Sequence, residues 1–435
     1  MIQVYLLIIL FALFLLMLLF VMYRLSGGVL AVPFLIFCYI VLLYFGTLHF
    51  FFTAGHLSFI FVFFMAVFYL AGICFASLRF NLQQKLISRP LIIYSPLNRA
   101  VLKFSLMAMY LIALSIAVYR ILEFGIPLFE RSWYTAAAIE SGSGVVNKLL
   151  FSTGVDSLAI LSLIAYGLYK SENDSRFKSL TAVFFVSYMV FQILNGGKSA
   201  AVMPFVLFGM AIFYCDRQIP RRLFIGAGIF VFVLVLFIGA FWAASFSPTD
   251  ILPIFYERVT SVAALHLDYV LYGWAPNHSY ELGNTVQLEL KRIVAQVTAM
   301  PKEPLFNEFI GNLRSGHALD KVSGVSPELS LFGLAYANFG LLGAILSAVF
   351  FGYFVQWLNL FFSHRCINVL AFPLWIFFMF KLLGFVRTGN ALITLQSFLI
   401  VVVPVFAITA VVYLCLALPF PAALKWRRLR LVHGE

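Results

Sequence analysis

The sequence predicts an all-α polytopic membrane protein of about 11 transmembrane helices, with one large outer loop that contains amphipathic helices. Three observations predict it. Runs of ~20 apolar residues recur from end to end, each long enough to cross ~30 Å of hydrocarbon as a helix, which satisfies its own backbone in lipid. Hydrophobic residues make up 63% of the chain and charged ones only 11%, against roughly 25% charged in soluble domains. One long polar interruption, residues 245–328, mixes charges of both signs with His, Pro and Gly.

Hydropathy places spans near 2–23, 28–52, 57–77, 103–122, 149–169, 179–194, 200–215, 223–244, 330–362, 368–386 and 393–418. The first is too long and too poorly flanked for a cleavable signal peptide. The close pair 179–194 and 200–215 reads as a tight hairpin or as a broken element. The resulting organisation is 1–123, N-terminal helices; 124–148, a first periplasmic loop; 149–244, central helices; 245–328, the large periplasmic loop; 329–418, C-terminal helices; and 419–435, a basic cytoplasmic tail.

The net charge of +12 carries orientation information. Arg24, the group Arg79 to Lys103, the group Lys170 to Lys178, the group Arg217 to Arg222, Arg365 and the tail bases fall in alternate connections, with few acids among them. The positive-inside rule makes those connections cytoplasmic, which puts the C-terminus inside and the N-terminus outside. The basic excess therefore calls for no nucleic-acid partner. Acids outnumber bases in 245–328, which falls outside with the 124–148 loop and the turns at 195–199 and 387–392. Cys38, Cys74, Cys215, Cys366 and Cys415 lie in spans or at their cytoplasmic ends, so the outer loops are not expected to be disulfide-stapled. No Cys/His cluster has metal-ligand spacing, and no internal repeat or low-complexity tract stands out.

The polar segments hold the candidate chemistry. In 124–148, Arg131 precedes an Ala-rich stretch stopped by glycines, with Trp133 and Tyr134 as interface anchors. A lone Arg at headgroup level is the ordinary reading of that loop. The turn Asn195-Gly-Gly-Lys198-Ser sets a cation beside glycines that let backbone N–H groups approach a ligand. It lacks the first glycine and the strand–helix context of a Walker A loop, and taken alone it is better read as an ordinary turn with a snorkelling Lys. In the large loop, Phe255, Val259 and Val262 suggest one amphipathic helix. Val286, Leu290, Ile293, Val297 and Met300 suggest another, with Glu289, Lys291 and Arg292 facing elsewhere. Both are expected to lie on the membrane surface as a lid. Arg314, His317, Asp320 and Lys321 then crowd a Gly-punctuated stretch, with cations suited to phosphate and a His able to take a proton near neutral pH. Such clusters are more often simply solvated.

Span nine opens with Ser326-Pro327, a Ser N-cap with Pro at the first helical position. Gly333, Ala337, Gly340 and Ala344 lay small residues along one of its faces, with Asn338 nearby, a pattern for close helix packing. Asp156, Lys381 and, near an outer end, Arg387 are the polar residues inside spans. Each costs ~2.5–3.5 kcal/mol at a span centre on insertion scales, so each needs a partner or a wet cavity. Asp156 pairs with Lys381 or with Lys198 in this reading, as a structural ion pair or as part of a pathway.

These pieces resemble the bacterial Wzy-type O-antigen (oligosaccharide repeat-unit) polymerases. The likeness covers the layout of many spans, a middle outer loop and a larger outer loop before the last spans. It also covers an Arg-x10-Gly pattern from Arg131 to Gly142. Arg314 to Gly324 fits one residue short. Gly197-Lys198-Ser199 stands where many relatives have Gly-Ser-Arg, so the charge is kept and the bidentate fork lost. Tyr336-Ala-Asn-Phe-Gly340-Leu-Leu-Gly343 looks like the family's most recognisable stretch.

The resemblance implies a GT-C-like glycosyltransferase of the bacterial inner membrane, active at its periplasmic face. The growing glycan would move from undecaprenyl pyrophosphate to a sugar hydroxyl of a new undecaprenyl-pyrophosphate-linked repeat unit. A chain-length regulator protein is the implied partner besides membrane lipid. Arg131, Lys198, Arg314, Lys321 and Arg387 are the candidate pyrophosphate-binding cations, since fixed cations stabilise the charge developing on the leaving group. Arg131 and Arg314 are also candidate catalytic residues. His317 is the first choice of base, ahead of His266, Asp268 and Glu308. No Asp-x-Asp motif occurs on either side of the membrane, so metal-independent chemistry without a cofactor is expected. The competing readings are an O-antigen ligase acting on lipid A–core and, from another class, a transporter of lipid-linked sugars. The inverted repeats and broken, charged central helices of transporters are not evident.

Overall fold

The computed structural model describes residues 2–79, 99–124, 145–194, 198–216, 226, 229, 262–298, 300, 303–315, 329–363 and 369–417. Every element among them is helical. The first seven helices are α1 (Ile2–Ser26), α2 (Val32–Ala54), α3 (Ser58–Arg79), α4 (Arg99–Phe124), α5 (Val145–Glu172), α6 (Ser175–Leu194) and α7 (Lys198–Asp216). Three short helices follow, α8 (Val262–Tyr269), α9 (Asn284–Thr298) and α10 (Phe306–Ser315). The last helices among the described residues are α11 (Ser330–Ser363), α12 (Ala371–Thr388) and α13 (Ala391–Ala417).

Eight of these helices, α1 to α4, α6 and α11 to α13, are long and apolar enough to cross a membrane, and α7 holds a shorter apolar stretch, Val202–Asp216. The close pair expected at 179–194 and 200–215 forms two separate helices, α6 and α7, that pack on each other. The span expected at 223–244 lies outside the described residues, apart from two positions. Helix α5 has a different character. It is buried without a break from Ser157 to Leu168, enclosed on all sides by neighbouring helices rather than facing lipid. Asp156, one residue before that stretch, meets Lys381 of α12, Nζ to Oδ2 3.0 Å.

Helices α3 and α11 approach most closely at glycines. A Cβ on Gly72 would collide with the Val349 carbonyl, and one on Gly352 with the Tyr69 carbonyl. The small residues that permit backbone contact therefore sit partly further down α11 than the Gly333–Ala344 stripe. The two ends of the bundle differ. At one end, Gln356 donates to Leu25 O (2.9 Å) and Ser77 Oγ (3.0 Å), and Asn359 donates to Ser26 O (3.2 Å). Tyr214 Oη donates to Asn359 Oδ1 at 2.7 Å. This network ties α11 to the last turn of α1, to the end of α3 and to α7.

The opposite end carries the cap formed by α8, α9 and α10. Here α11 starts at Ser330, whose Oγ accepts from Gly333 N (3.2 Å), while Leu329 is outside the helix. The cap role expected of Ser326 thus falls to Ser330; residues 326–328 lie outside the described residues. Helix α11 is also broken. Gly340 has φ 66° and ψ −158°, a left-handed φ that side chains resist. The carbonyls freed by the break are not left orphaned: Ala337 O accepts from Glu281 N and Asn338 O from Leu282 N, both at 3.0 Å. Asn338 adds a bond from Gly283 N to its Oδ1 (2.9 Å) and one from its Nδ2 to Thr285 Oγ1 (2.8 Å). A small second core of Val270, Trp274, Phe306, Ile310, Leu329, Leu334 and Ala337 seals the cap onto α11.

Helix α9 lies where the sequence indicated, with its apolar and polar residues on opposite faces. Glu289, Arg292 and Thr285 are buried, whereas Val286, Leu290, Val294 and, just beyond, Met300 are exposed. The reason is electrostatic. Glu289 Oε2 accepts the N–H groups of Leu392 (2.8 Å) and Ile393 (3.1 Å) in the first turn of α13, where the helix dipole favours an anion. Burial raises the Glu289 carboxyl above its ordinary value, against the opposing pull of the Ile393, Leu392 and Ala391 N–H groups. Arg292 pairs with Glu308, whose Oε2 also accepts Leu305 N (2.9 Å), as in half of a capping box opening α10. Burial lowers the Arg292 pKa, and Glu308 counteracts it.

Candidate functional site

The best-defined polar site among the described residues lies at the cap end, where α2 turns into α3. Helix α2 ends in a Schellman arrangement: Gly55 has φ 72°, its N–H reaches Phe51 O (3.0 Å), and His56 N reaches Phe50 O (3.3 Å). The left-handed glycine turns the chain sharply and puts His56 at the rim. Ser58 then opens α3.

Helix α8 brings Asp268 to this turn. His56 Nδ1 lies 2.7 Å from Asp268 Oδ2, and Ser58 Oγ donates to Asp268 Oδ1 at 2.6 Å. The carboxylate is also at the N-terminus of α3, where the dipole favours an anion. Directly after α8 the chain widens into a π turn, Val270–Trp274, a departure from regular helix that recurs at functional sites. That turn carries Tyr272, whose Oη accepts Leu57 N (2.8 Å) and whose ring stacks on the His56 imidazole, with centroids 4.3 Å apart and planes at 7°. Asp268 and Tyr272, four residues apart, thus hold one imidazole by its edge and by its face.

The surroundings are rich in tyrosine. Tyr272 and Tyr280 are exposed, and Tyr280 packs edge-on against Tyr336 of α11 at 6.3 Å. Both lie close enough to the Tyr336 phenol to act on it electrostatically. Tyr280 also fills the space beside Gly340 where a Cβ would sit. The break in α11, the docked 280–283 strand of chain and the His56 turn are therefore one contiguous region.

The expected site residues distribute as follows. Arg131, His317 and Lys321 lie outside the described residues. Lys198 is the first residue of α7 and Arg314 the penultimate residue of α10; their backbones are placed, and their side chains lie outside the described residues. Arg387 is half-buried in the last turn of α12, and Gly389 just after it packs on Leu334 near the start of α11. Of the reserve bases, His266 is buried, Glu308 is committed to Arg292 and Leu305, and Asp268 is bonded to His56 and Ser58. Lys381 pairs with Asp156 and lies 4.8 Å from the Phe377 ring centroid.

Sequence reading passed over His56. The signal available was a His following a Gly in a three-residue turn between two apolar helices, with Ser at the next helix start. No family model, curated protein or solved structure matches the chain.

Proposed function

We propose that this protein polymerises lipid-linked oligosaccharide repeat units at the periplasmic face of a bacterial inner membrane. In this reading the N-terminus is periplasmic, the C-terminus is cytoplasmic, and the capped end of the bundle faces outward. The growing glycan leaves undecaprenyl pyrophosphate and joins a sugar hydroxyl of a new undecaprenyl-pyrophosphate-linked unit, as in O-antigen biosynthesis. The resemblance of the sequence to repeat-unit polymerases supports it. So does the asymmetry of charge between the two sets of connections.

The observation that carries the proposal is a helical cap fastened over one end of an apolar bundle, beside a partly exposed His–Asp pair and tyrosines. Such an arrangement suits a substrate with a lipid tail in the membrane and a sugar head in water. The chemistry requires cations for the pyrophosphate leaving group. Arg131, Lys198, Arg314, Lys321 and Arg387 are assigned that role, with no metal or cofactor.

The test is incubation of purified protein with synthetic undecaprenyl-pyrophosphate repeat units. A ladder of longer products is expected, unchanged by chelation of divalent metals. Arg131→Ala and Arg314→Ala should each suppress the ladder at normal protein levels. Gene deletion separates the ligase reading: loss of a polymerase leaves lipopolysaccharide bearing a single repeat, and loss of a ligase leaves none.

A further inference from the structure

We infer that His56 is the general base that deprotonates the acceptor hydroxyl, with Asp268 as its positioning residue and the neighbouring tyrosines as the surface that receives the acceptor sugar. The inference rests on the polymerase reading and names a part of its site that no sequence pattern indicated.

The geometry gives each group a distinct task. A carboxylate only accepts hydrogen bonds, so Nδ1 of a neutral His56 carries the hydrogen shared with Asp268, and Nε2 keeps its lone pair. No described residue bonds Nε2. The His56 side chain is 32% exposed and that of Asp268 only 7%, so the pair presents a reachable base in front of a buried anion. Ser58 occupies the second carboxylate oxygen, which keeps Asp268 from swinging away. Stacking on Tyr272 restrains the imidazole plane. A partly exposed His whose ring is fixed by a buried carboxylate has the base and the orienting group that general-base catalysis uses.

A purely structural clasp would account for the Asp268 bond, since it ties α8 to the α2–α3 turn. It does not account for a second ring nitrogen that no described residue bonds, on an imidazole stacked against Tyr272. Phenol rings offer an apolar face together with a polar tip, which matches the C–H faces and hydroxyls of a sugar ring. Tyr272 and Tyr280 are 41% and 47% exposed, and Tyr336 stands between Tyr280 and Phe61. Among the described residues, the titratable groups in contact with His56 are Asp268 and Tyr272, both from the cap.

The step balances without a further reactant. The acceptor O–H proton passes to His56 Nε2 as the oxygen forms a bond to the anomeric carbon of the donor glycan. The bond from that carbon to the pyrophosphate oxygen breaks, and its electron pair leaves with undecaprenyl pyrophosphate. The imidazolium, stabilised by Asp268, returns its proton to water.

The test is the polymerisation assay across pH on wild type, His56→Gln, His56→Ala and Asp268→Asn, with thermal unfolding in detergent as the check on folding. Wild type should show an acidic limb in kcat/KM, because only the neutral ring accepts a proton. His56→Gln should lower kcat by about 10²- to 10⁴-fold with little change in KM and should abolish the limb. Added imidazole should restore part of the rate of His56→Ala. Asp268→Asn should lower kcat while keeping a limb. Diethylpyrocarbonate labelling of wild type gives an arm that needs no variant: modification mapped to His56 should track loss of activity and be slowed by acceptor.

A folded His56→Gln with near-normal kcat and an intact acidic limb overturns the assignment. So does loss of the limb in His317→Gln together with its retention in His56→Gln, and so does full activity after His56 is labelled. In those cases the wild-type ladder still stands and only the base is wrong. A wild type that makes no ladder overturns the polymerase reading and this inference with it.

Discussion

Glu289 of α9 holds the first turn of α13, its Oε2 accepting the backbone N–H groups of Leu392 at 2.8 Å and Ile393 at 3.1 Å. A side chain from the cap thereby closes a transmembrane helix that brings no acid of its own to its first turn. Burial holds the Glu289 carboxyl above its ordinary value despite those bonds. Between the ordinary value and the raised one, the folded state binds more protons than the unfolded chain, so stability falls as pH rises through that window. Lowering pH from neutral into the window should therefore raise the unfolding midpoint of the detergent-solubilised protein. Glu289→Gln, which cannot titrate, should lose that slope, and Glu289→Ala should lose about 1–2 kcal/mol from the missing cap. Unfolding followed by tryptophan fluorescence at several pH values checks this; identical slopes in wild type and Glu289→Gln would refute it.

The Arg292–Glu308 pair makes a second, sharper prediction. Both side chains are almost fully buried, 6% and 8% exposed, so removing one partner strands the other charge. Such losses cost about 3–5 kcal/mol, whereas replacing both partners with apolar groups is often far milder. Arg292→Leu and Glu308→Leu should each destabilise the cap strongly, and the double variant should recover much of the loss. Limited proteolysis between α9 and α10 reports it. A double variant at least as protease-sensitive as either single one would rule out this account.

Gly340 combines a backbone conformation open only to glycine with close packing, whereas Gly55 has an ordinary left-handed turn in open space. Both have left-handed φ, 66° and 72°, but a Cβ on Gly340 would meet the Tyr280 ring at 2.8 Å while one on Gly55 meets nothing within 4 Å. Gly55→Ala should cost only the left-handed penalty, about 1–2 kcal/mol. Gly340→Ala should cost more and also push Tyr280 off the break in α11, which would unseat the bonds from Glu281 and Leu282. Comparing the two variants by unfolding midpoint, and by hydrogen exchange at Glu281 and Leu282, tests the difference. Equal losses with unchanged exchange would show that the break needs no help from Tyr280.

How legible each feature was follows from what determines it. Span nine, expected at 330–362, is observed as Ser330–Ser363 because hydrocarbon leaves an apolar segment little choice but helix. The pairing of Asp156 with Lys381 was legible as one of two options, since an ionised residue in a span must find a partner. The His56–Asp268 contact was not, because its partners are 212 residues apart and nothing local to either announces the other. Helix α9 shows an intermediate case. Its period was readable from Val286, Leu290 and their neighbours, but what Glu289 and Arg292 on its other face would meet was not. The usual rule assumes water outside and an apolar core inside. Here the inner side offers the bare N–H groups of α13 and the Glu308 carboxylate, which favour Glu289 and Arg292.

That arrangement leaves Val286, Leu290 and Val294 of α9 exposed at 46%, 50% and 54%, spaced four residues apart along the helix, with Leu282 exposed in the turn before it. In water such a line would forfeit roughly 25 cal/mol for every Å² of apolar surface left uncovered. At the boundary between lipid headgroups and acyl chains it forfeits little, and an amphipathic helix lying there turns its apolar face to the membrane. The polar face of α9 then points at the bundle, as observed. A Leu290→Trp variant reconstituted in bilayers should consequently fluoresce at short wavelength. Lipids brominated near the headgroup should quench it beyond the background of the native tryptophans, whereas Gln287→Trp, also at an exposed position, should be quenched less. If Leu290→Trp is protected from brominated lipid in a way that dilution of the protein relieves, a second protein copy covers the stripe instead. Protection that persists at every dilution means that the stripe is covered within the chain itself, and the membrane-surface placement of α9 fails.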